Sequence, residues 1–342
     1  MLQTAFGGIF SADLQGPQGT MRGVSFTQQG ILKQPSSGRN VAMVVHTNTR
    51  CRDPLRLVCR IFPLAREILP SAWLLAFVLL GCGSERTTDV AACNQSAAWS
   101  FAVIGDTRSN PDVFKTHILN VNALDPQPLA LFHMGDLVSN GDLDFDWQVF
   151  HESMSSLAPN IEFQVTPGNH DVGGARGREI FAEELGIEGP LYSAQEASSI
   201  LFVELSTEEP DFVNEIGGEQ LSWLVDTLSH SSATRIAVFM HRPLFPQGHY
   251  QGMDLANAED MHNLFVRYGV DIVFASHEHQ FFLDERDGVT YVISGGGGAP
   301  LYHENGGDFY HFLLACPGPE TLCLQVITLS AEIKATYEIP FD

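Results

Sequence analysis

Five short polar motifs, each placed just after an apolar run, constrain the fold of this 342-residue chain most strongly. The apolar runs are rich in β-branched and aromatic residues, which favour strands. Most are separated by helical patterns, as in βα units with parallel strands. Polar residues that follow such strands lie at the strand carboxyl ends, where open α/β sheets bind ligands. The runs span residues 100–104, 129–134, 161–165, 235–239 and 270–275.

The motifs contain side chains that suit metal ions and proton transfer. Asn169 offers a neutral amide oxygen, a usable ligand for a divalent metal, and His170 offers an imidazole that titrates near neutral pH. The motifs are Gly-Asp-Thr-Arg at 105–108, Gly-Asp-Leu-Val-Ser-Asn-Gly at 135–141, Pro-Gly-Asn-His-Asp at 167–171, His-Arg-Pro at 241–243 and Ser-His-Glu-His at 276–279.

The spacing within two motifs predicts which side chains lie together. In an extended segment, residues i and i+2 point to the same side. His277 and His279 are therefore expected to share one space, with Glu278 pointing away. By the same geometry, Asp106 and Arg108 share a face.

In this order, the five motifs resemble the signature of the calcineurin-like metallophosphoesterase superfamily, from about residue 99 to the C-terminus. The resemblance implies an α/β fold, a four-layer α/β/β/α sandwich of two mixed β-sheets flanked by helices. The chain itself is consistent with that fold, because βα units give way after residue 280 to successive predicted strands without helices between them.

The resemblance also implies a centre with two divalent metal ions (Zn, Mn or Fe), which suit mixed nitrogen and oxygen ligands. A hydroxide held between two such ions would attack the phosphorus of a phosphomonoester or phosphodiester. His170 would assist the leaving group. One metal would take Asp106 and His279, the other Asn169, His241 and His277, and Asp136 would bridge them.

Arg108 departs from the family pattern, which usually has a metal-binding His at this position. A guanidinium cannot ligate a metal. Purple acid phosphatases also lack this His, but they supply a Tyr where this chain has Ser139. Either Arg108 clamps the substrate phosphate while water fills the open metal position, or the first metal binds weakly and one metal suffices. We favour the clamp. A smaller departure is Ser276, which replaces a Gly.

The N-terminal region differs in character from the rest of the chain. Residues 1–81 carry 8 basic and 3 acidic side chains, against 10 and 38 in residues 82–342. We expect residues 1–56 to be a disordered leader, with the working protein starting downstream of Met1. Basic residues followed by the apolar run 72–80 are typical of a signal peptide, assigned to residues 57–81, and this run is too short to span a bilayer.

The Leu-Leu-Gly-Cys sequence at 79–82 resembles a bacterial lipobox, which implies cleavage before Cys82 and a lipid on its thiol. Residues 82–98 would then be a tether, and residues 99–342 the metallophosphoesterase domain. This predicts an extracytoplasmic protein that is lipid-anchored to a bacterial cell-envelope membrane. The acidic body would repel nucleic acid, so no nucleic-acid partner is expected. The resemblance to metallophosphoesterases implies a phosphorylated small-molecule or ester substrate.

Three function classes are consistent with the sequence: a lipid-anchored metallophosphoesterase, a non-catalytic or single-metal binding lipoprotein that retains the fold, and a structural envelope protein. The near-complete ligand set favours the first and argues against the third. Four further histidines are predicted to be structural, namely His133, His249, His262 and His311, although His249 lies near enough to His241 in sequence to reach the site. Cys316 and Cys323 flank a predicted turn, and the sequence leaves open whether they pair or remain free thiols.

Overall fold

The computed structural model describes residues 97–303 and 307–341, together with the backbone of a short strand at Ala42–Val44. All of these belong to one compact unit, residues 38–342. The predicted leader, signal peptide and tether, including Cys82, lie almost entirely outside the described residues, and their boundaries stay predictions. In the described part of the chain, no helix has both the length and the apolar character that a membrane span requires.

A short strand lies within the segment predicted to be a disordered leader. Strand β1 (Ala42–Val44) pairs antiparallel with β15 (Ile333–Pro340). The backbone groups of an otherwise open sheet edge readily pair with an extended segment. These three residues are the only part of segment 1–56 that the structure describes, and the disordered leader stays a prediction.

Seven strands form the first sheet, and three helices cover its outer face. The strands are β1, β2 (Phe101–Ile104), β3 (Ala130–His133), β4 (Glu162–Val165), β13 (His311–Pro317), β14 (Thr321–Thr328) and β15. The helices are α1 (Pro111–Asn122), α2 (Asp144–Met154) and α3 (Gly177–Leu185). The strand order is β1-β15-β14-β13-β2-β3-β4, and β2, β3 and β4 run parallel.

Six strands form the second sheet, with two helices on its outer face. The strands are β5 (Ser193–Ala197), β6 (Ile200–Glu204), β9 (Arg235–Phe239), β10 (Ile272–Ala275), β11 (Phe281–Arg286) and β12 (Val289–Ser294). The helices are α4 (Gly218–His230) and α5 (Ala258–Tyr268). The order is β11-β12-β10-β9-β6-β5, and β7 (Glu208–Glu209) with β8 (Phe212–Val213) forms a separate ribbon.

The two sheets pack face to face, and alternate side chains of β2 face opposite layers. Phe101 and Val103 point to the second sheet, whereas Ile104 points to the helices of the first. Aromatic rings fill the space between the sheets, where Phe132 of β3 stacks on Phe239 of β9 with ring centroids 4.2 Å apart. The layers are therefore helices, sheet, sheet and helices. The predicted α/β/β/α sandwich is confirmed.

The sequence analysis missed the β5–β6 hairpin, which forms one edge of the second sheet. Strand β5 (Ser-Ala-Gln-Glu-Ala) is largely polar and exposed, so it gives little strand signal. The two residues that join the strands, Ser198 and Ser199, both have positive φ angles of 51° and 66°. Two-residue hairpin turns need such angles, but Asn-Gly or Asp-Gly is their usual sequence.

Two cysteines on neighbouring C-terminal strands lie opposite each other but do not form a disulfide bond. Cys316 of β13 lies opposite Cys323 of β14 in the strand register. Cys316 is nevertheless a free, buried thiol, and burial raises its pKa to about 12. Cys323 is disulfide-bonded, and its partner lies outside the described residues. The structure thus decides against the Cys316–Cys323 pair.

Several histidines are buried in the cores around the sheets. His133, His262 and His311 each hydrogen-bond to a hydroxyl group, in agreement with a structural role. His117 of α1 is also fully buried, and neither of its ring nitrogens has a hydrogen-bond partner. Burial lowers the pKa of His117 to about 3, with a smaller contribution from His311 and a weak opposing one from the Gly296 backbone.

We predict that His117 makes the fold sensitive to acid. The unfolded chain binds a proton at His117 below about pH 6.5, whereas the folded chain does so only near pH 3. Stability contributed by the neutral imidazole is therefore full above pH 6.5 and falls as the pH drops through this window. Protonation of His117 in the unfolded chain should lower the free energy of unfolding by about 2 kcal/mol between pH 7 and pH 5. His117→Leu should not show this part of the decrease.

The measurement is the free energy of unfolding of metal-free protein in urea from pH 4 to 7. His230→Gln is the control, because His230 is exposed at the end of α4. The control should follow the wild-type curve. If the curves for His117→Leu and wild type stay parallel over this range, the prediction is wrong.

Candidate active site

The five polar motifs meet where parallel strands of the two sheets end. Asp106, Asp136 and Asn169 follow β2, β3 and β4 of the first sheet, while His241 and His277 follow β9 and β10 of the second. Contacts join the two sets of loops. For example, the amide N–H of His277 donates to Asp106 Oδ2 over 2.8 Å.

The loops that carry these residues have an unusual backbone. Asp106, Asp136 and His277 adopt positive φ angles of 55°, 57° and 68°. The left-handed conformation costs a non-glycine residue roughly 1–2 kcal/mol, and such residues cluster at functional sites. Gly135 permits the close approach of the loops after β3 and β4, because a Cβ atom there would lie 2.5 Å from the nitrogen of Gly168.

A first group of ligand atoms is formed by Asp106, Asp136 and His279, with one atom of each within 4.8 Å of the others. Asp106 Oδ1 is buried and has no hydrogen-bond partner. It lies 3.3 Å from His279 Nε2, while His279 Nδ1 lies 2.6 Å from the carbonyl oxygen of Pro300. Because Nδ1–H donates to that carbonyl, the lone pair of Nε2 faces the carboxylate.

A second group is formed by Asn169, His241 and His277. His241 Nδ1 donates to the carbonyl oxygen of Met134 over 2.8 Å, so the lone pair of Nε2 points into the site. This Nε2 lies 3.1 Å from Asn169 Oδ1 and 3.1 Å from His277 Nδ1. Asp136 Oδ1 is 3.4 Å from the same nitrogen, so Asp136 belongs to both groups.

The charges of these residues suit metal binding. Burial opposes ionisation of Asp136, but His241, His170 and Arg108 lower its pKa to about 2, so it is a carboxylate at neutral pH. Burial and the neighbouring His241 lower the pKa of His277 to about 2, so its imidazole is neutral. Ionised carboxylates and neutral imidazoles are the forms that bind metals.

Positive charge is also stabilised at His279. Burial works to lower the pKa of His279, but the nearby carboxylate of Asp106 raises it. A cation held between His279 Nε2 and Asp106 Oδ1 would be stabilised in the same way. In both groups, lone pairs therefore point towards one another. A divalent cation bound between them would stabilise this arrangement.

Arg108 lies directly beside the first group. Its Nε donates to Asp136 Oδ2 over 3.1 Å, and one terminal nitrogen lies 3.4 Å from His279 Nε2. The guanidinium thus contacts two side chains that were predicted to hold the first metal.

His170 lies on the same side of the site. Its backbone N–H donates to Asp136 Oδ1 over 3.0 Å, and its Nδ1 lies 2.8 Å from the carbonyl oxygen of Ser139. These two contacts fix the ring next to the carboxylate that both groups share. If Nδ1–H donates to Ser139, Nε2 is the nitrogen that can carry and release a proton.

Asp171 is a residue whose importance the sequence analysis missed. It is fully buried, and its carboxylate accepts the backbone N–H groups of Asp136, Leu137 and Gly168 over 2.7 to 2.8 Å. It therefore holds the loops after β3 and β4 together. The signal was available, because Asp171 directly follows His170 in the third motif.

Three aromatic residues near the second sheet also lie at the site. Tyr250 stacks on His277, and Tyr302 stacks on His279, with ring centroids 4.6 Å and 4.4 Å apart. His249, predicted to be structural, stacks on the other side of Tyr302 at 4.5 Å. No motif marks these positions, since they lie on loops that reach the site only in the folded chain.

The other substitution of a motif residue, Ser276, leaves the ligand positions intact. Its hydroxyl donates to the carbonyl oxygen of Met134, the same atom that accepts the Nδ1–H of His241. The hydroxyl group that Ser276 adds is therefore satisfied by a hydrogen bond next to His241. The structure brings together all eight residues predicted for the site: Asp106, Arg108, Asp136, Asn169, His170, His241, His277 and His279.

A cleft of about 790 Å³ opens beside the site and reaches from Asn169 to Arg242. The loop at residues 173–176 and the side chain of Arg178 line it. Arg242 is held by both carboxylate oxygens of Glu208, at 2.5 Å and 3.2 Å, and one of its terminal nitrogens lies 3.4 Å from His277 Nε2. The cleft is large enough for a small-molecule ligand.

Comparisons with known proteins agree with this geometry. The chain matches the calcineurin-like phosphoesterase family over residues 100–281. Purple acid phosphatase 23 of Arabidopsis thaliana is 27% identical over 175 residues, which are 44% of this chain and 37% of the plant protein. The serine/threonine-protein phosphatase CPPED1 of Danio rerio is 26% identical over 222 residues, 58% of this chain and 71% of the fish protein.

Solved structures show the same fold. Purple acid phosphatase PPD1 from yellow lupin superposes with a TM-score of 0.61 at 16% identity, over 72% of this chain and 54% of the lupin chain. A dimetal phosphatase from Danio rerio superposes with a TM-score of 0.55 at 13% identity, over 72% of this chain and all of the other. The chain thus spans only part of the plant relatives that it matches. Because the family match covers more than half of the chain and all five polar motifs, the protein belongs to the calcineurin-like phosphoesterase family of hydrolases.

Proposed function

We propose that the protein hydrolyses phosphoesters with two divalent metal ions at the site described above. The proposal rests on the two groups of ligand atoms described above, which share the Asp136 carboxylate. The buried Asp106 Oδ1 without a hydrogen-bond partner supports it, because an unpaired buried oxygen is costly unless a cation satisfies it. The donor set of carboxylates, imidazoles and one amide suits Zn, Mn or Fe.

The assignment of ligands keeps the order that the sequence predicts. Asp106 and His279 would hold one ion, Asn169, His241 and His277 the other, and Asp136 would bridge them. Bound divalent ions supply an activated water and neutralise charge on the phosphoryl group. The chain's own residues then bind and orient the ester and move the leaving-group proton.

The surrounding residues divide this work. His170, fixed by Ser139 and the Asp136 carboxylate, would give a proton to the leaving group from Nε2. Arg108 lies beside His279 and Arg242 lies beside His277, and both can bind phosphoryl oxygens, which guanidinium groups recognise with two parallel hydrogen bonds. The cleft beyond Arg242 would accept the rest of the ester.

We also propose that the enzyme acts outside the cytoplasm, anchored through a lipid on Cys82. The basic segment, the short apolar run and the Leu-Leu-Gly-Cys sequence support this location. The intact mass of detergent-extracted protein tests the proposal, and a mature chain that still contains residues 1–81 would contradict it.

The contacts of Arg108 favour a second candidate, a protein that binds a single metal ion. The guanidinium neutralises Asp136 Oδ2 and approaches His279 Nε2, so it competes with a cation for the first group. In that case the ion would be held by Asn169, His241, His277 and Asp136, and Arg108 would supply the second positive charge. Such a protein either hydrolyses esters with one metal or binds them without turnover.

We predict that His170→Ala keeps its metal content and loses turnover. Acid assistance of the leaving group is worth about 10²- to 10⁴-fold in kcat. The loss should be large for alkyl phosphates and small for nitrophenyl phosphate, whose leaving group needs no proton. The measurement is kcat for both ester types on metal-loaded protein, with metal content determined in parallel.

His151→Ala is the matched control, since His151 lies on α2 and pairs with Glu184 away from the site. It should behave like the wild type. An equal loss for nitrophenyl and alkyl esters in His170→Ala would assign the residue to charge stabilisation. Wild-type protein that carries metal but hydrolyses neither phosphomonoesters nor phosphodiesters would contradict the proposed function.

We predict that Arg108→His tightens binding of the first metal. An imidazole adds a ligand where a guanidinium adds none, and the change removes a cation that pairs with Asp136. Arg and His differ in reach, so the gain should be partial. The measurement is residual metal during a chelator titration of the wild type and the variant. Equal loss of metal from both proteins would show that residue 108 is not at a ligand position.

A further inference from the structure

A group of aromatic rings borders the site on the side of the second sheet. The rings of Tyr250 and His277 are nearly parallel, at 16°, and so are those of Tyr302 and His279, at 18°. His249 covers the second face of Tyr302 at 29° and meets Tyr250 edge to face at 84°. The two tyrosines are therefore packed directly on the two histidines of the last motif.

A buried carboxylate holds this group in place. Glu278, which lies between the two histidines in the sequence, is fully buried. It accepts the backbone N–H groups of Gln247, Gly248 and Tyr250 over 2.7, 2.8 and 3.1 Å. Hydrogen bonds to a charged acceptor are among the stronger ones in proteins. The same motif that presents the histidines therefore also fixes the loop that carries Tyr250.

The hydroxyl groups of the two tyrosines meet beside the site. Their oxygens are 3.4 Å apart, and both side chains are only partly buried. Both rings are already covered by stacking partners, so each tyrosine has mainly its hydroxyl left to offer a ligand. A tyrosine hydroxyl donates one hydrogen bond and needs no charge to do so.

The two hydroxyl groups add to other hydrogen-bond donors that lie around His277 and His279. Arg108 lies 3.4 Å from His279 Nε2, and Arg242 lies 3.4 Å from His277 Nε2. The body of the chain is strongly acidic, with 38 acidic against 10 basic side chains in residues 82–342. Against this acidic background, the two guanidinium groups and the two hydroxyl groups lie near one another, where they can bind an anion with several oxygens.

We infer that Tyr250 and Tyr302 are substrate-positioning residues whose hydroxyl groups hydrogen-bond to the phosphoryl oxygens of the ester. This inference rests on the proposed function and extends it from the metal ligands to the loops of the second sheet. A purely structural role would use only the rings, which support the histidines. Phenylalanine keeps each ring and removes each hydroxyl, so it separates the two roles.

The test uses Tyr250→Phe, Tyr302→Phe and the double variant, with Tyr268→Phe on α5 as the control. Binding of inorganic phosphate to the metal-loaded protein is measured by calorimetry, and KM and kcat are measured with nitrophenyl phosphate. Each site variant should weaken phosphate binding and raise KM by about 10-fold, the worth of one hydrogen bond to a charged group. Metal content and melting temperature should not change.

The double variant should lose less than the product of the two single losses, because the hydroxyls contact each other. The control should match the wild type. Unchanged phosphate binding and KM in both phenylalanine variants would overturn the inference and leave the proposed function intact. Wild-type protein that holds metal but binds no phosphate and hydrolyses no ester would instead contradict the proposed function, and the inference with it.

Discussion

The buried carboxylate of Asp136 connects the parts of this site. Its oxygens contact the guanidinium of Arg108, the backbone N–H of His170 and the ring of His241, while its own N–H donates to Asp171. An ionised carboxylate is costly to bury unless several positive or donor groups surround it. The loops of both sheets supply those groups. The geometry of the centre therefore depends on this one charge and on the partners that surround it.

The sequence predicts the fold and the site wherever local pattern is strong. Strand β9 has the predicted bounds, residues 235–239, because its apolar run is clear. The polar motifs also meet as expected, since parallel strands end at one edge of a sheet and the motifs directly follow those strands.

Other features depend on contacts between distant segments, which no local pattern reveals. The β5–β6 hairpin has a polar outer strand and a Ser198-Ser199 turn, so neither composition nor turn sequence marks it. Tyr250 reaches the site because Glu278 binds the loop before it, and these residues are 28 positions apart. The effect of Arg108 was left open for a similar reason. Its partner Asp136 is also 28 positions away, and only the folded chain brings the two side chains to 3.1 Å.

The central claim is that two groups of metal ligands share Asp136. The most direct measurement is the metal content of purified wild type, Asn169→Ala and Asp136→Ala by elemental analysis. The account predicts two ions for each wild-type chain, loss of about one in Asn169→Ala, and loss of both in Asp136→Ala, because Asp136 alone belongs to both groups. Undiminished metal in Asp136→Ala would contradict the claim.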